Sequence, residues 1–159
     1  MAHGYLLHEF LSPLSNVRDD AYGGTRERRM RFPLEVFDAV RAACPDTPVG
    51  VRVSATDWVE GGWDVNDSIE YVGAAQSIGI DYVCVSSAGL TAQARVPIGP
   101  GYQVPAAARI RAATGVVTRA VGLITSALQA DSIIAEGHAD QVADEIRSFM
   151  QTFNAVGAT

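Results

Sequence analysis

Two side chains near the start of the sequence have the types needed to activate and protonate a small substrate. His3 and Tyr5 lie two residues apart, and His8 follows three residues later. A histidine and a tyrosine this close can donate a hydrogen bond and a proton to a bound oxyanion, which is general acid catalysis. The alternative interpretation, surface side chains near a frayed chain end, stays open. The polar stretch 16–24, which ends in two glycines, is predicted to be a loop.

A single arginine, Arg52, interrupts the apolar strand predicted over 49–54. Because a buried, unpaired charge is strongly destabilising, its guanidinium must be paired or must face a polar cavity. Two interpretations remain open at this point. Arg52 forms an ion pair with a neighbouring acid, or it contacts an anion or a cofactor where the strand ends.

Small residues follow the next two predicted strands. Ser87 and Gly89 come after the second strand and would let a ligand approach the backbone. Gly122 follows the third strand and precedes a helix capped by Thr125 or Ser126. The free N–H groups at such a helix start can bind phosphate. The spacing matches neither GxxxxGK[ST] nor GxGxxG, so an ordinary capped turn explains Gly122 equally well.

These candidate residues are positioned by alternating β-branched runs and longer amphipathic segments. Strands that are apolar on both faces and alternate with helices predict a parallel sheet covered by helices. We see no linker or low-complexity tract, and therefore expect one domain over 1–159. The predicted strands are 49–54, 82–86, 116–121 and 139–143, and the predicted helices are 33–43, 66–78, 104–113, 126–136 and 144–155.

Two architectures suit this α/β pattern, an open doubly wound sheet or part of a (β/α)8 barrel. A complete barrel takes about 250 residues and eight strands. The sequence has 159 residues and four predicted strands, which is the length of half a barrel. In both architectures ligands bind at the carboxyl ends of the strands, so the residues that follow each strand are the ones expected to carry function.

Composition narrows the class of protein. The chain is 48% hydrophobic with a net charge of −6, and all twelve basic residues are arginine. The mild acidity argues against nucleic acid or an anionic membrane as a partner. No apolar run is long enough to span a bilayer, and no cleavable leader is recognisable, so we expect a cytoplasmic protein. Cys44 and Cys84 are interpreted as packing residues, and no metal site is predicted.

Taken together, these residues resemble the old yellow enzyme family of FMN-dependent ene-reductases, the NADH:flavin oxidoreductases, in its bacterial, thermophilic-like branch. The resemblance covers residues 3–142, in the family's order, and corresponds to the C-terminal half of a family member. The matching stretches are His3-Gly-Tyr-Leu-Leu-His-Glu-Phe-Leu-Ser-Pro, Asn16-Val-Arg-Asp-Asp-Ala-Tyr-Gly-Gly, Arg31-Phe-Pro-Leu-Glu, Val49-Gly-Val-Arg-Val-Ser-Ala, Pro97-Ile-Gly-Pro-Gly-Tyr-Gln-Val-Pro and Ala120-Val-Gly-Leu-Ile-Thr.

The resemblance implies a role for each candidate residue. His3 would be one of two residues that polarise the carbonyl of an α,β-unsaturated small-molecule substrate. Tyr5 would be the proton donor, while hydride comes from FMN and ultimately from NAD(P)H. Arg52 would lie beside the flavin ring and stabilise its negative charge when reduced. The implied cofactor-lining residues are Ser87, Gly89 and Gly122, the last of these on the phosphate side.

The sequence departs from the family at both ends of the implied site. The family's first substrate-activating histidine would precede His3 by three residues, and the first four strands would precede it too. Family members also place a Gly-Arg pair after the last strand, where this chain has Asp144 and Glu145. We therefore expect a truncated half-barrel of four strands with an incomplete flavin site, a divergent helix over 144–155, and an apolar inner face with two open edges.

Three functional hypotheses follow from this pattern. The first is an FMN-dependent reductase of activated C=C bonds, completed as a homodimer or by another partner that supplies the rest of the barrel. The second is a flavin-free derivative, either a non-redox enzyme such as an isomerase or cyclase, or an accessory binding protein. The third is a truncated gene product.

Overall fold

The computed structural model describes residues 1–143, so the helix predicted over 144–155 lies outside the described residues. Four parallel strands form one sheet in the order β1-β2-β3-β4. Each of the four predicted strands is present, the last reduced to two residues. The elements are α1 Leu6–Leu11, α2 Arg26–Ala43, β1 Gly50–Ser54, α3 Val65–Gln76, β2 Tyr82–Ser86, α4 Val104–Thr114, β3 Val117–Ala120, α5 Ala127–Ala135 and β4 Gln141–Val142.

One face of the sheet is covered by helices and forms the hydrophobic core. Alternate strand residues, Val51 and Val53 in β1 and Val83 and Val85 in β2, join a single buried cluster with Phe37, Tyr71, Val72, Ile110 and Ile133 from four helices. Each strand pairs with its neighbour in the sequence. Sequential order with the helices on one face is the arrangement of a (β/α)8 barrel rather than of a doubly wound sheet. The described chain is half of such a barrel.

The opposite face, called the inner face below, carries polar and charged side chains. Arg52, Cys84, Arg119 and Gln141 are aligned across β1 to β4 in one row. The Nε of Arg119 donates to Oε1 of Gln141 at 3.0 Å, and its guanidinium lies 5.0 Å from the ring centroid of Tyr82. The expectation of an apolar inner face was therefore wrong, because Arg52, Arg119 and Gln141 lie on it.

The N-terminal part of the chain is more helical than predicted. Helix α1 was not predicted, and α2 begins at Arg26 rather than at Pro33. Thr25 caps α2 by accepting a hydrogen bond from the N–H of Arg28, as serine and threonine commonly do. The first turns are also held by Arg29, whose Nε donates to the carbonyl of Leu11 at 2.8 Å. These contacts stabilise a helix that contains a proline in its interior.

Helix α3 begins with a capping box. The carboxylate of Asp64 accepts from the N–H groups of Asn66 and Asp67, and the side chain of Asp67 accepts from the N–H of Asp64. Asp64 is thus the N-cap residue of the helix that the sequence predicted over 66–78. In residues 1–143 none of the helices is both long and apolar enough to cross a bilayer.

Candidate functional site

The hydroxyl of Ser86, at the carboxyl end of β2, is the centre of a polar cluster. His3 Nε2 lies 2.7 Å from Ser86 Oγ, and an Nη atom of Arg52 lies 3.5 Å from the same oxygen. Gln103 Nε2 approaches it at 3.4 Å. Three residues from three different parts of the chain therefore converge where ligands bind in β/α folds.

The backbone of His3 is fixed against the ends of β1 and β2. Its N–H donates to Ser54 Oγ at 3.0 Å, and Ser54 Oγ donates to the carbonyl of Ala88 at 2.7 Å. His3 and Gly4 have φ values of 55° and 74°, a left-handed conformation that is costly for a non-glycine residue. A Cβ added to Gly89 would lie 2.6 Å from the Cα of His3, so Gly89 allows this close approach.

Electrostatics keep the imidazole of His3 neutral. Partial burial and then the positive charge of Arg52 lower its pKa below the ordinary value, with a smaller contribution from the N-terminal amine. Behind it, burial raises the pKa of the Cys84 thiol, and the charges of Arg52 and Arg119 oppose that effect only in part. A neutral imidazole can still donate one hydrogen bond, and an adjacent cation remains available for an anionic ligand.

Arg52 is exposed on the inner face and has no carboxylate partner within the described part of the chain. Of the two interpretations left open by the sequence, the ion pair with a neighbouring acid is thus not observed among residues 1–143. A strand guanidinium whose hydrogen-bond contact is a serine hydroxyl at 3.5 Å is free to bind an anion.

A second polar group links the ends of β2 and β3 and was not identified from the sequence. Gln103, only 3% exposed, donates to Ser87 Oγ at 2.8 Å and to the Tyr102 hydroxyl at 3.0 Å. Gly122 has a φ of 106°, and a Cβ there would lie 2.8 Å from Gln103 Oε1. The only sequence signal was the position of Gln103 in the matched stretch 97–105. Ser87 and Gly122 thus meet through an amide side chain.

Tyr5 is placed at the start of α1 but is not joined to this cluster. It is the N-cap residue of α1, and its side chain is 77% exposed. By contrast, His8 is completely buried and its Nε2 lies 3.0 Å from Asp57 Oδ1. Surface side chains near the chain end, the alternative left open by the sequence, thus describe Tyr5 and the exposed His3 but not His8.

The turn after β3 is an ordinary capped helix start. Ser126 Oγ accepts from the N–H of Gln129 at 3.2 Å, and the N–H of Thr125 donates to Gln129 Oε1 at 3.2 Å. Segment 121–143 contains no arginine or lysine. A phosphate at this end of the sheet would therefore find no arginine or lysine within this segment.

Comparison with known proteins agrees with this geometry. The model of the NADH:flavin oxidoreductase / NADH oxidase family matches residues 1–151. NADPH dehydrogenase of Geobacillus thermodenitrificans is 51% identical over 141 residues, which are 89% of this chain and 41% of that protein. NADPH dehydrogenase of Bacillus subtilis is 45% identical over the same shares. The chain thus spans about two fifths of the length of these relatives.

Solved structures share the fold. 2-Naphthoyl-CoA reductase in complex with 2-naphthoyl-CoA superposes with a TM-score of 0.79 at 27% identity, over 88% of this chain and 22% of that one. The N189A mutant of morphinone reductase, in complex with tetrahydroNAD, gives a TM-score of 0.68 at 28% identity, over 89% of this chain and 37% of that one. The family match covers almost the whole sequence and the fold agrees with it, so this chain belongs to the NADH:flavin oxidoreductase / NADH oxidase family.

Proposed function

We propose that this chain forms the substrate-activating and flavin-facing half of an FMN-dependent reductase of activated C=C bonds, with NAD(P)H as the hydride source. The observation that carries the proposal is the convergence of His3 and Arg52 on Ser86 Oγ. A neutral donor and a free cation thus meet at the ligand end of a half-barrel. A cytoplasmic location remains a prediction of the same proposal.

The residues present fit the ring portion of FMN. The guanidinium of Arg52 is free to face negative charge on the ring, and the buried Ser87 and Gln103 offer polar groups beside it. Gly122 lets Gln103 pack against the backbone that follows β3, since a Cβ there would lie 2.8 Å from Gln103 Oε1. When bound, FMN would supply hydride transfer to the substrate. The phosphate end is supported less well, since 121–143 lacks a basic side chain other than His138.

The chain's own residues would act on the carbonyl and on the proton. His3, neutral at pH 7, would donate a hydrogen bond to the carbonyl oxygen of an α,β-unsaturated substrate and stabilise the charge that develops there. Tyr5 would deliver a proton to the substrate α-carbon. Its side chain is 77% exposed and would be accessible to such a substrate. Gly89 would hold the backbone of His3 close enough for this contact.

A partner must cover the inner face if the barrel is to close. A second copy of this chain would bring four guanidiniums into one interior, two from Arg52 and two from Arg119, and the described inner-face row supplies no carboxylate. Burying unpaired charges is costly. Of the homodimer and the separate partner segment expected from the sequence, the charges favour a segment that presents carboxylates to Arg119.

One observation favours a second candidate, a flavin-free derivative that uses the cavity for acid–base chemistry such as isomerisation. Segment 121–143 has no arginine or lysine, and two acids, Asp144 and Glu145, follow it. An acidic pair at the phosphate end would repel a phosphate. In that case His3 and Tyr5 would retain their roles with a substrate carbonyl, and Arg52 would bind an anionic group of the substrate.

A chimaeric enzyme separates the two candidates. The part of the Geobacillus thermodenitrificans NADPH dehydrogenase that precedes the matched region would be joined to this chain. The redox proposal predicts NADPH-dependent reduction of 2-cyclohexenone, slowed by Tyr5→Phe roughly 100-fold or more if a general acid is lost, with FMN content unchanged. Tyr22→Phe, in the loop before α2, is the matched control. Equal rates in Tyr5→Phe and Tyr22→Phe would remove Tyr5 from the mechanism.

A further inference from the structure

A buried histidine–aspartate pair lies directly beneath the backbone that carries His3 and Tyr5. His8 and Asp57 are both completely buried, and 49 residues separate them in the sequence. His8 Nδ1 accepts a hydrogen bond from the N–H of Gly4 at 3.0 Å. Gly4 is the residue between His3 and Tyr5. The imidazole therefore connects Asp57 to the peptide that separates the two proposed catalytic side chains.

The direction of these hydrogen bonds fixes the tautomer of His8. A backbone N–H can only donate, so the Nδ1 atom that accepts from Gly4 carries no proton. The remaining ring proton is then on Nε2 and is donated to Asp57 Oδ1 at 3.0 Å. A protonated Nδ1 would place two donors face to face and break the contact with Gly4. The bond to Gly4 therefore requires a neutral, Nε2-protonated imidazole.

Asp57 is itself held rigidly. Its Oδ2 accepts from Ser12 Oγ at 2.6 Å and from the N–H of Trp63 at 2.8 Å, and its own N–H donates to the carbonyl of Trp63 at 2.9 Å. Burial would raise the pKa of Asp57, but the hydrogen bonds from His8, Ser12 and the Trp63 N–H outweigh burial and lower that pKa. Asp57 is thus an ionised carboxylate that accepts hydrogen bonds from three donors.

The segment that this pair holds is conformationally costly. His3 and Gly4 both lie in the left-handed region, and a Cβ on Gly4 would come within 2.6 Å of the carbonyl oxygen of Gly89. Two consecutive left-handed residues persist only where surrounding contacts enforce them. The hydrogen bond from Gly4 to His8 is such a contact, and it comes from inside the fold rather than from the ligand side.

We propose that His8, oriented by Asp57, is a positioning residue that holds the His3–Tyr5 turn in its active geometry through the N–H of Gly4. This inference rests on the proposed function, because it takes His3 and Tyr5 as the groups that contact substrate. A merely structural His8 would fill core volume, and its loss would reduce stability without changing His3 specifically.

The wild-type chain gives the first test, with neither FMN nor substrate present. The sequence contains only three histidines, His3, His8 and His138, so long-range ¹H–¹⁵N spectra of the imidazoles can be assigned with single variants. The proposal predicts that His8 at neutral pH is the Nε2-protonated tautomer. A proton on Nδ1 of His8 would overturn it.

Two substitutions then separate positioning from packing. In His8→Asn the amide oxygen takes the place of Nδ1 and can still accept from Gly4, while Asp57 loses a donor. In His8→Gln the amide reaches the place of Nε2 and can still donate to Asp57, while Gly4 loses its acceptor. His138→Gln, just after the end of α5, is the control.

The expected results differ for the two variants. We expect His8→Gln to bring the pKa of His3 up toward its ordinary value of about 6.5, because the turn no longer holds the ring against Ser86 and Arg52. His8→Asn should keep the lowered pKa even where it loses more stability to urea. Identical His3 titrations in both variants would overturn the proposal. If FMN fails to bind while these results hold, only the proposed function is lost.

Discussion

The position and the lowered pKa of His3 depend on Ser54, Ser86 and Arg52, three residues that lie far from it in the sequence. Arg52 could be identified from the sequence because a charge within an apolar strand is unusual. His3 and Tyr5 could be identified from their spacing and from the family resemblance. Gln103 and the His8–Asp57 pair could not, since their partners lie 16 to 49 residues away. Hydrogen bonds between distant residues follow from tertiary packing, which leaves no local pattern.

The lowered pKa of His3 makes the stability of the chain depend on pH. Because the folded state binds this proton more weakly than the unfolded chain, the unfolded state takes up the proton first as the pH falls. The contribution of His3 is therefore fully present above about pH 6.5 and is lost as the pH falls from there through the folded pKa. An NMR titration should show a His3 pKa below the ordinary histidine value of about 6.5. A His3 pKa at or above that value would contradict the account.

The secondary structure elements were predicted well where their contacts are local. Strands β1 to β3 follow from β-branched runs, and α3 follows from its amphipathic pattern. Helix α1 was missed because it has only six residues, and its burial depends on His8 reaching Asp57 and Leu11 entering the core. The start of α2 was placed at Pro33, although Thr25 and Arg29 stabilise an earlier start. Tertiary contacts thus decided the elements that local patterns did not.

The close approach of the β2–α4 loop to the His3–Gly4 turn can be tested at Gly89. Gly89→Ala would place a Cβ 2.6 Å from the Cα of His3, at a residue whose φ is 90°. We expect the free energy of unfolding to fall by about 1 to 3 kcal/mol. Gly73→Ala in α3 is the matched control, because no atom lies within 4 Å of its added Cβ. That change should stabilise by roughly 0.5 to 1 kcal/mol. Urea unfolding of both variants measures the difference, and equal effects would refute the contact.

As a whole, the described chain is a four-stranded half-barrel with helices on one side and a charged row on the other. Its length, strand count and resemblance to the family allowed this architecture to be predicted. The polarity of the inner face was not predicted, because Cys84, Arg119 and Gln141 belong to segments interpreted simply as strands. The row that they form with Arg52 carries two positive charges, so a partner that covers this face must be compatible with those charges.

Self-association should respond to charge on this face. We expect the wild-type chain to stay monomeric at low ionic strength, where repulsion between two inner faces is strongest. Arg119→Gln and added salt should each increase dimer formation, because each reduces that repulsion. Sedimentation velocity at low and high salt would measure the effect, with Arg111→Gln on the helical side as the control. A wild-type dimer that weakens as salt is added would contradict the account.

The central claim is that Arg52 and its neighbours form the ring side of an FMN site, and a visible absorption titration of the purified chain with FMN tests it most directly. We expect a bound-flavin spectrum for the wild type. Arg52→Met should weaken binding roughly 10- to 100-fold, because a charge-assisted hydrogen bond is worth about 1.5 to 3 kcal/mol. Arg31→Met, on an exposed position of α2, should bind FMN as the wild type does. A wild-type chain that leaves the spectrum of FMN unchanged would contradict the claim and favour the flavin-free alternative.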